Sequence, residues 1–328
     1  AVRPLVSGSR RGAVPPSCLR LPPLPPSPLR PRPPLLPRSP PRHHHRRLSR
    51  HRLPRLPSLS TTAARRPCFP PVHRDLLTAQ HLVSLSNRDR TRCELFDLHQ
   101  QIVPLVDSWG WQKSIVERRK PLVGIDTDTD EDHSDTLIAL QHPPVYTLGN
   151  GSSEKYLNFN IEDSPIESHR IDRAGEVTYH GPGQLVLYPI LNLRYQKKDL
   201  NWYQRSLETV VNRALQSAFS IKASTIEGLT GVWVGDQKVA AIGTMCARWI
   251  VYHGLALNVT TDLTPFEHIV PCGIKGRGVG SIKQILQKAS NGREYNDAEL
   301  MDIAYDSLIK EFADFFQLSL EPSPDLYL

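Results

Sequence analysis

The sequence predicts one α/β domain of the mixed α+β kind, preceded by an extension of different composition. Arginine and proline are concentrated at the N-terminus, predicted strands and helices then interleave without strict βαβ alternation, and no linker rich in Pro, Gly or Ser interrupts residues 97–318. We therefore divide the 328 residues into an extension (1–74), a linker or start of the mature protein (75–97), a folded domain (98–318) and a C-terminal tail (319–328).

The extension has the composition of a targeting segment. Residues 1–74 contain 16 Arg and no Lys, Asp or Glu, and 19 of the 30 prolines lie in residues 1–72. Proline at this density blocks helices and sheet ladders, so we expect disorder. An Arg-rich, Ser-containing, acid-free N-terminus is typical of an organelle transit peptide. Its length and its Ser and Pro content favour the plastid; the alternatives are the mitochondrion or an untargeted tail.

Composition also excludes several classes of function. Outside the extension, 24 basic residues face 33 acidic ones, so the pI of about 9.2 does not indicate nucleic-acid binding. Five cysteines form no CxxC pair, and His43–His45 lack Cys or carboxylate partners, so neither a disulfide framework nor a metal site is expected. No run of 18 apolar residues exists, and we expect no membrane contact.

The first half of the domain combines one helix with several strands. Residues 97–120 are predicted to form the first core helix, because apolar and large residues recur there at helical spacing. Asp135–Gly149 reads as a strand pair with a turn at Pro143–Pro144. Two further strands, Glu176–Tyr179 and Gln184–Leu191, follow on either side of a Gly-Pro-Gly turn.

The second half reads as a helix, a hairpin, a strand and a last helix. Trp202–Phe219 carries an apolar stripe, and Gly231–Ile242 forms a hairpin around Gly235-Asp236. Trp249–Val259 supplies another strand. Asn296 with Glu299 resembles a capping box. The core positions predicted in the helix that follows are Leu300, Ile303, Ala304, Leu308 and Phe312.

The densest cluster of unusual residues is Arg173–Gln184, with the sequence RAGEVTYHGPGQ. Its glycines allow a backbone to approach a ligand closely, and its Arg, Thr, Tyr, His and Gln supply directional polar groups. It is not a phosphate loop, because it has no Gly-Lys-Ser/Thr and Pro182 removes an N–H donor. Gly276–Gly280 imitates a nucleotide fingerprint but follows no clear buried strand.

Cys272 and Lys238 are ambiguous when each is considered alone. Cys272 lies between Pro271 and Gly273, where we expect an exposed loop thiol, although a lone Cys is more often a small apolar filler. Lys238 follows the hairpin turn, where most lysines point to water, but a partly buried lysine can exchange protons near neutral pH. Spacing does not show whether the two residues meet.

Five segments resemble the octanoyltransferases of lipoate biosynthesis, in order and spacing. They are Gln141–Gly149, Arg173–Gln184, Gly235–Gly243, His253–Asn258 and Ile269–Ile274. The match covers about residues 98–318 and is highly specific, because separate motifs agree in register. The resemblance implies the catalytic fold of biotin and lipoate protein ligases. Residues 98–318 are then expected to form the octanoyltransferase catalytic domain.

The resemblance implies a reaction and its partners. An octanoyl group would pass from octanoyl-acyl carrier protein to Cys272 as a thioester, and then to a lysine of a lipoyl domain. Lys238 would favour the thiolate and handle protons. The acceptors would be lipoyl domains of 2-oxoacid dehydrogenase E2 subunits and the glycine cleavage H protein. No ATP, metal or other cofactor would be needed.

The resemblance also implies the residues that bind substrate and the points where this chain departs from the family. The expected substrate-binding residues are Arg173, Ala174, Gly175, Glu176, Val177, Thr178, Tyr179, His180, Ala241, Ile242, Gly243, Gly254, Leu255 and Ala256. Three residues depart from the usual pattern: Ala174 stands at a common glycine, Gln141 at a common Glu and Gly280 at a common Thr.

Two other functions and one docking surface are left to be tested. The rivals are an ATP-dependent lipoate or biotin ligase of the same fold, which would need no cysteine, and a non-catalytic protein that docks lipoyl domains. Because acyl carrier protein is acidic, we expect a local basic patch to bind it. The candidates for that patch are Arg170, Arg173, Arg248, Lys275 and Arg277.

Overall fold

The computed structural model describes residues 91–123, 135–274 and 276–323, so the extension and Lys275 lie outside the described residues. The strands are β1 Arg92–Ile102, β2 Asp135–Gln141, β3 Val145–Leu148, β4 Glu167–Arg170, β5 Thr178–His180, β6 Gln184–Asn192, β7 Ser224–Ile226, β8 Leu229–Val234, β9 Gln237–Ala247, β10 Ile250–Asn258, β11 Gly278–Val279 and β12 Ser319–Pro322. The helices are α1 Leu105–Arg119, α2 Leu200–Phe219, α3 Ile282–Ala289 and α4 Asp297–Phe316.

The described strands form one large and one small sheet. The large sheet has the order β12-β1-β2-β6-β10-β9-β8-β7, with β11 paired to β9. Strand β1 runs parallel to β2 and β12, whereas β2, β6, β10, β9, β8 and β7 are successively antiparallel. The small sheet has the order β4-β3-β5. The predicted mixed α/β fold is confirmed.

The two faces of the large sheet carry different layers. On one face, α2 and α4 bury an apolar core against side chains such as Leu187 and Leu255. On the other face, α1 packs through Ile115 and Val116 against β2, β6 and β10. The edge of this second face that α1 leaves uncovered holds the pocket described below.

Helix α2 forms where its apolar stripe predicts it. Its buried residues recur at three- and four-residue spacing, from Tyr203 through Leu207 to Ala214. The helix begins at Leu200, two residues before the predicted start. The Asp199 carboxylate caps it by accepting the Trp202 N–H at 3.0 Å. The helix ends at Ser220, which adopts a left-handed conformation with φ 54°.

Two predicted elements differ from the structure. Residues Arg92–Ile102 form strand β1, so the helix expected from residue 97 begins only at Leu105, after Pro104. The segments β2 and β3 are both strands, but they are not a pair: β3 joins β4 and β5 in the small sheet. The prolines at 143 and 144 redirect the chain to another layer, which local patterning does not reveal.

The folded region extends beyond residues 98–318 at both ends. Strand β1 begins at Arg92, inside the segment predicted as a linker or the start of the mature protein. Residues Ser319–Pro322, predicted as tail, form β12 and pair with β1 in parallel register. The Arg92 guanidinium contacts the Glu321 carboxylate at 2.6 Å across this pair. Short edge strands carry too few residues to show a period in sequence.

Helix α4 has the predicted cap but not every predicted core residue. The Asn296 side chain accepts the Glu299 N–H at 3.0 Å. Leu308 and Phe312 are fully buried, but Ile303 is 38% exposed and lies outside the core. Across the described residues we find no helix that combines the length and apolar character needed to cross a bilayer.

Burial on α4 yields a paired stability prediction. We expect Leu308→Ala to lower the free energy of unfolding by about 3 kcal/mol, because it deletes a fully enclosed side chain and leaves a cavity. Ile303→Ala, on the exposed side of the same helix, should cost less than about 1 kcal/mol. Urea unfolding of both variants measures the difference. Equal losses would contradict the assignment of the core face.

Candidate active site

Cys272 is held in a tight turn, Pro271–Gly273. Its backbone is left-handed (φ 55°), and Gly273 is left-handed as well (φ 68°). The Cys272 N–H donates to the Val177 carbonyl at 2.9 Å, which fastens the turn to the neighbouring segment. A left-handed residue with a side chain costs about 1–3 kcal/mol, and such strain is concentrated at functional sites. Cys272 is partly buried, between the exposed loop thiol and the apolar filler that we considered from the sequence.

Lys238 reaches the thiol from strand β9. Its residue is 6% exposed, and its Nζ donates to Cys272 Sγ at 3.2 Å. The Trp233 ring on β8 lies with its centroid 5.5 Å from the same nitrogen. A cation this close stabilises negative charge on sulfur. The structure thus brings together the two residues that the resemblance pairs, and Lys238 does not point to water.

Gly231 leaves the space that the Lys238 side chain occupies. A Cβ at Gly231 would overlap Lys238 Cε and would lie 3.0 Å from Nζ. The backbone there has φ 129°, a conformation that favours glycine. The Gly231 N–H donates at 2.8 Å to the carboxylate of Glu208, a buried residue of α2 that contacts Arg205 at 2.7 Å. No sequence signal marks either residue.

Residues 173–178, here called the roof segment, cover the pocket beside Cys272. The buried Arg173 guanidinium donates to the carbonyl oxygens of Thr147 (2.6 Å), Ala174 (3.0 Å) and Glu176 (2.9 Å). Burial lowers the pKa of Arg173, an effect that the nearby Cys272 opposes. Arg173 is therefore a cation that shapes the roof, and its prediction as part of an exposed basic patch is wrong.

Small residues on β9 and β10 form the floor. Gly243 pairs with Gly254, and Ala241 pairs with Ala256. A Cβ at Gly243 would lie 2.9 Å from the Ala174 carbonyl oxygen of the roof, and one at Gly254 would overlap the carbonyl of Leu187 on β6. The two glycines therefore allow close approach of the neighbouring backbones.

Most predicted substrate-binding residues line one mostly apolar pocket together with Cys272. The predicted residues that line it are Arg173, Ala174, Gly175, Glu176, Thr178, His180, Ala241, Ile242, Gly243, Gly254, Leu255 and Ala256. Val177 and Tyr179 do not, because successive residues of an extended segment point to opposite sides. Both side chains pack instead with Tyr146 and Phe266 beneath the small sheet.

A buried chain of hydrogen bonds fixes His180. Gln184 donates through Nε2 to Asn258 Oδ1 at 2.9 Å, and its Oε1 accepts from His180 Nδ1 at 2.7 Å. The other ring nitrogen lies 3.2 Å from Thr147 Oγ1, which itself accepts from Arg173. Burial, aided by His142 and Arg173, lowers the pKa of His180 to about 3. His180 is therefore neutral. It supports the roof and takes no part in proton exchange.

Three departures from the family pattern have local roles. The Gln141 amide accepts the Gly183 N–H at 2.8 Å and donates to the His99 carbonyl at 2.7 Å, and a glutamate could not make the second bond. A Cβ at Gly280 would lie 3.1 Å from Gln237 Cβ. The Ala174 N–H donates to the Thr244 carbonyl at 3.1 Å.

The segment around Gly280 is part of the site's frame and has no phosphate-loop geometry. Gly278 and Val279 form β11 beside the first residues of β9, and the Gly280 N–H donates to the Lys238 carbonyl at 3.0 Å. In the described ranges, no three His, Cys, Asp or Glu side chains are grouped to hold a metal.

Sequence reasoning missed four residues that line the pocket: Ile171, Val186, Tyr188 and His253. Val186 and Tyr188 lie in β6, whose continuous apolar run shows burial but not which face meets a cavity. His253 lies inside a motif that we had quoted only for its Gly-Leu-Ala. Its backbone is left-handed (φ 57°), which sequence does not show.

Comparisons with known proteins agree with this geometry. The lipoyl protein ligase A/B catalytic domain matches residues 107–305. The chloroplastic octanoyltransferase LIP2p2 of Arabidopsis thaliana is 55% identical over 238 residues, covering 73% of this chain and 84% of that protein. An octanoyltransferase of Synechococcus sp. WH7803 is 46% identical, covering 68% and 85%.

A solved structure shows the same fold. The crystal structure of lipoate-protein ligase A bound with ATP superposes with a TM-score of 0.54 at 14% identity, covering 72% of this chain and 90% of that one. At that identity the likeness concerns the fold alone. Both relatives are octanoyltransferases, and the matched catalytic domain covers more than half of this chain. The chain belongs to the octanoyltransferase family, within the lipoyl protein ligase A/B catalytic domain.

Proposed function

We propose that this chain transfers an octanoyl group from octanoyl-acyl carrier protein to a lysine of a lipoyl domain, through a thioester on Cys272. The observation that carries the proposal is the 3.2 Å contact between Lys238 Nζ and Cys272 Sγ beside a mostly apolar pocket. The names of the relatives support octanoyl as the acyl group.

In the first half-reaction the Cys272 thiolate attacks the carbonyl carbon of the donor thioester. The bond from that carbon to Sγ forms, the bond to the carrier's sulfur breaks, and the departing thiolate takes a proton from the Lys238 ammonium. One thioester replaces another, so the exchange is nearly isoenergetic and needs no ATP. Lys238 is left as a neutral amine beside the acyl group.

In the second half-reaction the neutral amine of the acceptor lysine attacks the carbonyl carbon of acyl-Cys272. The C–N bond forms and the C–Sγ bond breaks, while Lys238 accepts the proton that the new amide must lose. This step restores the Lys238 ammonium and the Cys272 thiolate. One lysine thus serves as acid and then as base, with no other proton carrier.

Stabilisation of the oxyanion falls to the roof segment. The N–H groups of Cys272, Gly273 and Ile274 already donate to carbonyl oxygens, which belong to Val177, Val270 and Pro271. They are therefore not free to bind a developing negative charge. The backbone N–H groups of Gly175 and Glu176, in the roof beside the thiol, are the alternative donors, since the Ala174 N–H already donates to the Thr244 carbonyl.

The partners and the compartment follow from the reaction and the relatives. Acceptors are lipoyl domains of 2-oxoacid dehydrogenase E2 subunits and the glycine cleavage H protein, and no cofactor takes part. The Arabidopsis relative is named as chloroplastic, which supports a plastid destination over a mitochondrial one. The Arg-rich extension, although outside the described residues, has the composition that import requires.

The acyl-enzyme is the decisive test. We expect the full chain, mixed with octanoyl-acyl carrier protein without ATP, to gain an octanoyl adduct in its intact mass. Cys272→Ala should lose the adduct because it lacks the nucleophile, whereas Cys246→Ala, at another partly buried thiol, should keep it. Added lipoyl domain should then take the octanoyl group from the adduct.

Other outcomes identify the rival functions. An adduct on the lipoyl domain that requires ATP, with none on Cys272, would indicate a ligase. Lipoyl-domain binding that is the same in Cys272→Ala as in the parent, with no octanoyl transfer in the presence or absence of ATP, would indicate a docking protein. Either result would contradict the proposed chemistry.

Of the residues considered for the basic patch that binds the carrier protein, we propose Arg277. Arg277 is exposed, with its guanidinium 5.4 Å from the centroid of the Trp233 ring that also borders Lys238. Arg170 pairs with Glu154 at 3.5 Å, and Arg248 donates to the Lys120 carbonyl at 3.1 Å. Lys275 lies outside the described residues.

Charge reversal at Arg277 tests this docking. We expect Arg277→Glu to raise the KM for the acidic carrier roughly tenfold while changing kcat less, because the charge meets the carrier and not the reacting atoms. Arg293→Glu is the matched control, since Arg293 is also exposed and also lies 5.4 Å from an aromatic ring, that of Tyr295. Equal effects of the two reversals would contradict local docking.

A further inference from the structure

His253 occupies a strained position at one end of the pocket. It lies inside strand β10, yet its backbone is left-handed with φ 57°. The ladder to β6 is interrupted here, and the His253 N–H donates instead to the Gln112 side chain on α1 at 2.8 Å. A left-handed histidine in mid-strand is unfavourable unless its surroundings hold it. The strain turns its ring onto the pocket that Cys272 also lines.

A saturated carboxylate and two aromatic rings immobilise that ring. His253 Nε2 lies 3.0 Å from the Asp172 carboxylate, which also accepts from Trp109 Nε1 at 2.8 Å and from the Tyr252 hydroxyl at 2.7 Å. The ring stacks on the Tyr252 ring, with centroids 5.0 Å apart. It also makes an edge contact with the Tyr188 ring, with centroids 6.2 Å apart. With 2% exposure, His253 is a rigid wall.

The roof segment joins the turn that holds the thiol to the part of β9 that pairs with His253. At one end, the Val177 carbonyl accepts the Cys272 N–H, and at the other, the Ala174 N–H donates to the Thr244 carbonyl. Thr244 is the residue on β9 that pairs with His253. Two residues lie between Ala174 and Val177, and Gly175 has φ 94°, so the segment is bent and spans less than the roughly 10–11 Å of three fully extended residues.

An extended octanoyl chain is comparable in length to that upper limit. Seven carbon–carbon bonds join its carbonyl carbon to its methyl carbon, and an extended zigzag of such bonds covers roughly 9 Å. We therefore expect a chain that begins at Cys272 and follows the roof to end near the His253 ring, which lines the same pocket. Two more methylenes would need about 2.5 Å that the ring occupies.

We propose that His253, held by Asp172, is the end wall that sets the acyl-chain length. This inference rests on the proposed octanoyl transfer and adds the residue that selects eight carbons. Its chemistry is steric: the terminal methyl contacts the flat ring, and longer chains must displace a side chain that the carboxylate and Tyr252 hold in place.

Replacing His253 with residues that suit a left-handed backbone tests the wall without adding strain. We expect His253→Gly to raise the ratio of kcat/KM for decanoyl- over octanoyl-acyl carrier protein at least tenfold, because two further methylenes then become buried. His253→Asn, which also tolerates this backbone and is shorter, should shift the ratio in the same direction and provides a second variant.

Gln317→Gly serves as the matched control. It replaces another left-handed residue (φ 54°), at the end of α4, and should leave the ratio unchanged. If both His253 variants transfer octanoyl with the parent's chain-length ratio, or lose octanoyl and decanoyl transfer in equal proportion, the end-wall inference is wrong. If the parent itself forms no octanoyl-Cys272, the proposed function is wrong, which is a separate result.

Discussion

The site depends on an empty space at Gly231. Lys238 starts on a buried strand, and its ammonium reaches the Cys272 sulfur only by passing over the Gly231 backbone, where any side chain would overlap it. The Glu208 carboxylate fixes that backbone by accepting the Gly231 N–H. A flexible lysine loses rotamer freedom when it is confined in this way, and the path over Gly231 together with the Trp233 ring supplies the confinement.

The same two strands organise both ends of the pocket. Strand β9 carries Lys238 at its beginning and the small floor residues further along, and β10 brings His253 opposite Thr244. The roof is tied to this floor at Ala174 and to the thiol turn at Val177. In the proposed reaction, a shift of the roof would therefore change the position of Cys272 and the length of the pocket together.

The sequence motifs identified most residues of the candidate site, but not how those residues are arranged in space. Cys272, Lys238 and the roof were identified in the sequence because they lie in motifs with a specific order. Gly231 was noted only as the first residue of a predicted hairpin and Glu208 only as part of a predicted helix, because their role exists only once α2 and β8 meet. Periodicity predicted α2 correctly.

Periodicity failed where tertiary pairing decides the structure. Strand β3 left its predicted partner, and the short strand β12 completed the sheet beside β1. Arg173 shows the same limit for charge: a count of basic residues placed it on the surface, although its bonds to Thr147 and Glu176 hold it inside. Burial of a cation depends on acceptors that are distant in sequence.

The most direct test is the rate at which acyl-Cys272 forms in a single turnover. This rate is measured by intact mass in Gly231→Ala and in Gly228→Ala. Both glycines have positive φ (129° and 78°), but nothing lies within 4 Å of a Cβ at Gly228. We expect a rate at least roughly 100-fold lower in Gly231→Ala, because the added methyl group displaces Lys238. Gly228→Ala should stay within about threefold of the parent. Equal rates in the two variants would contradict the account.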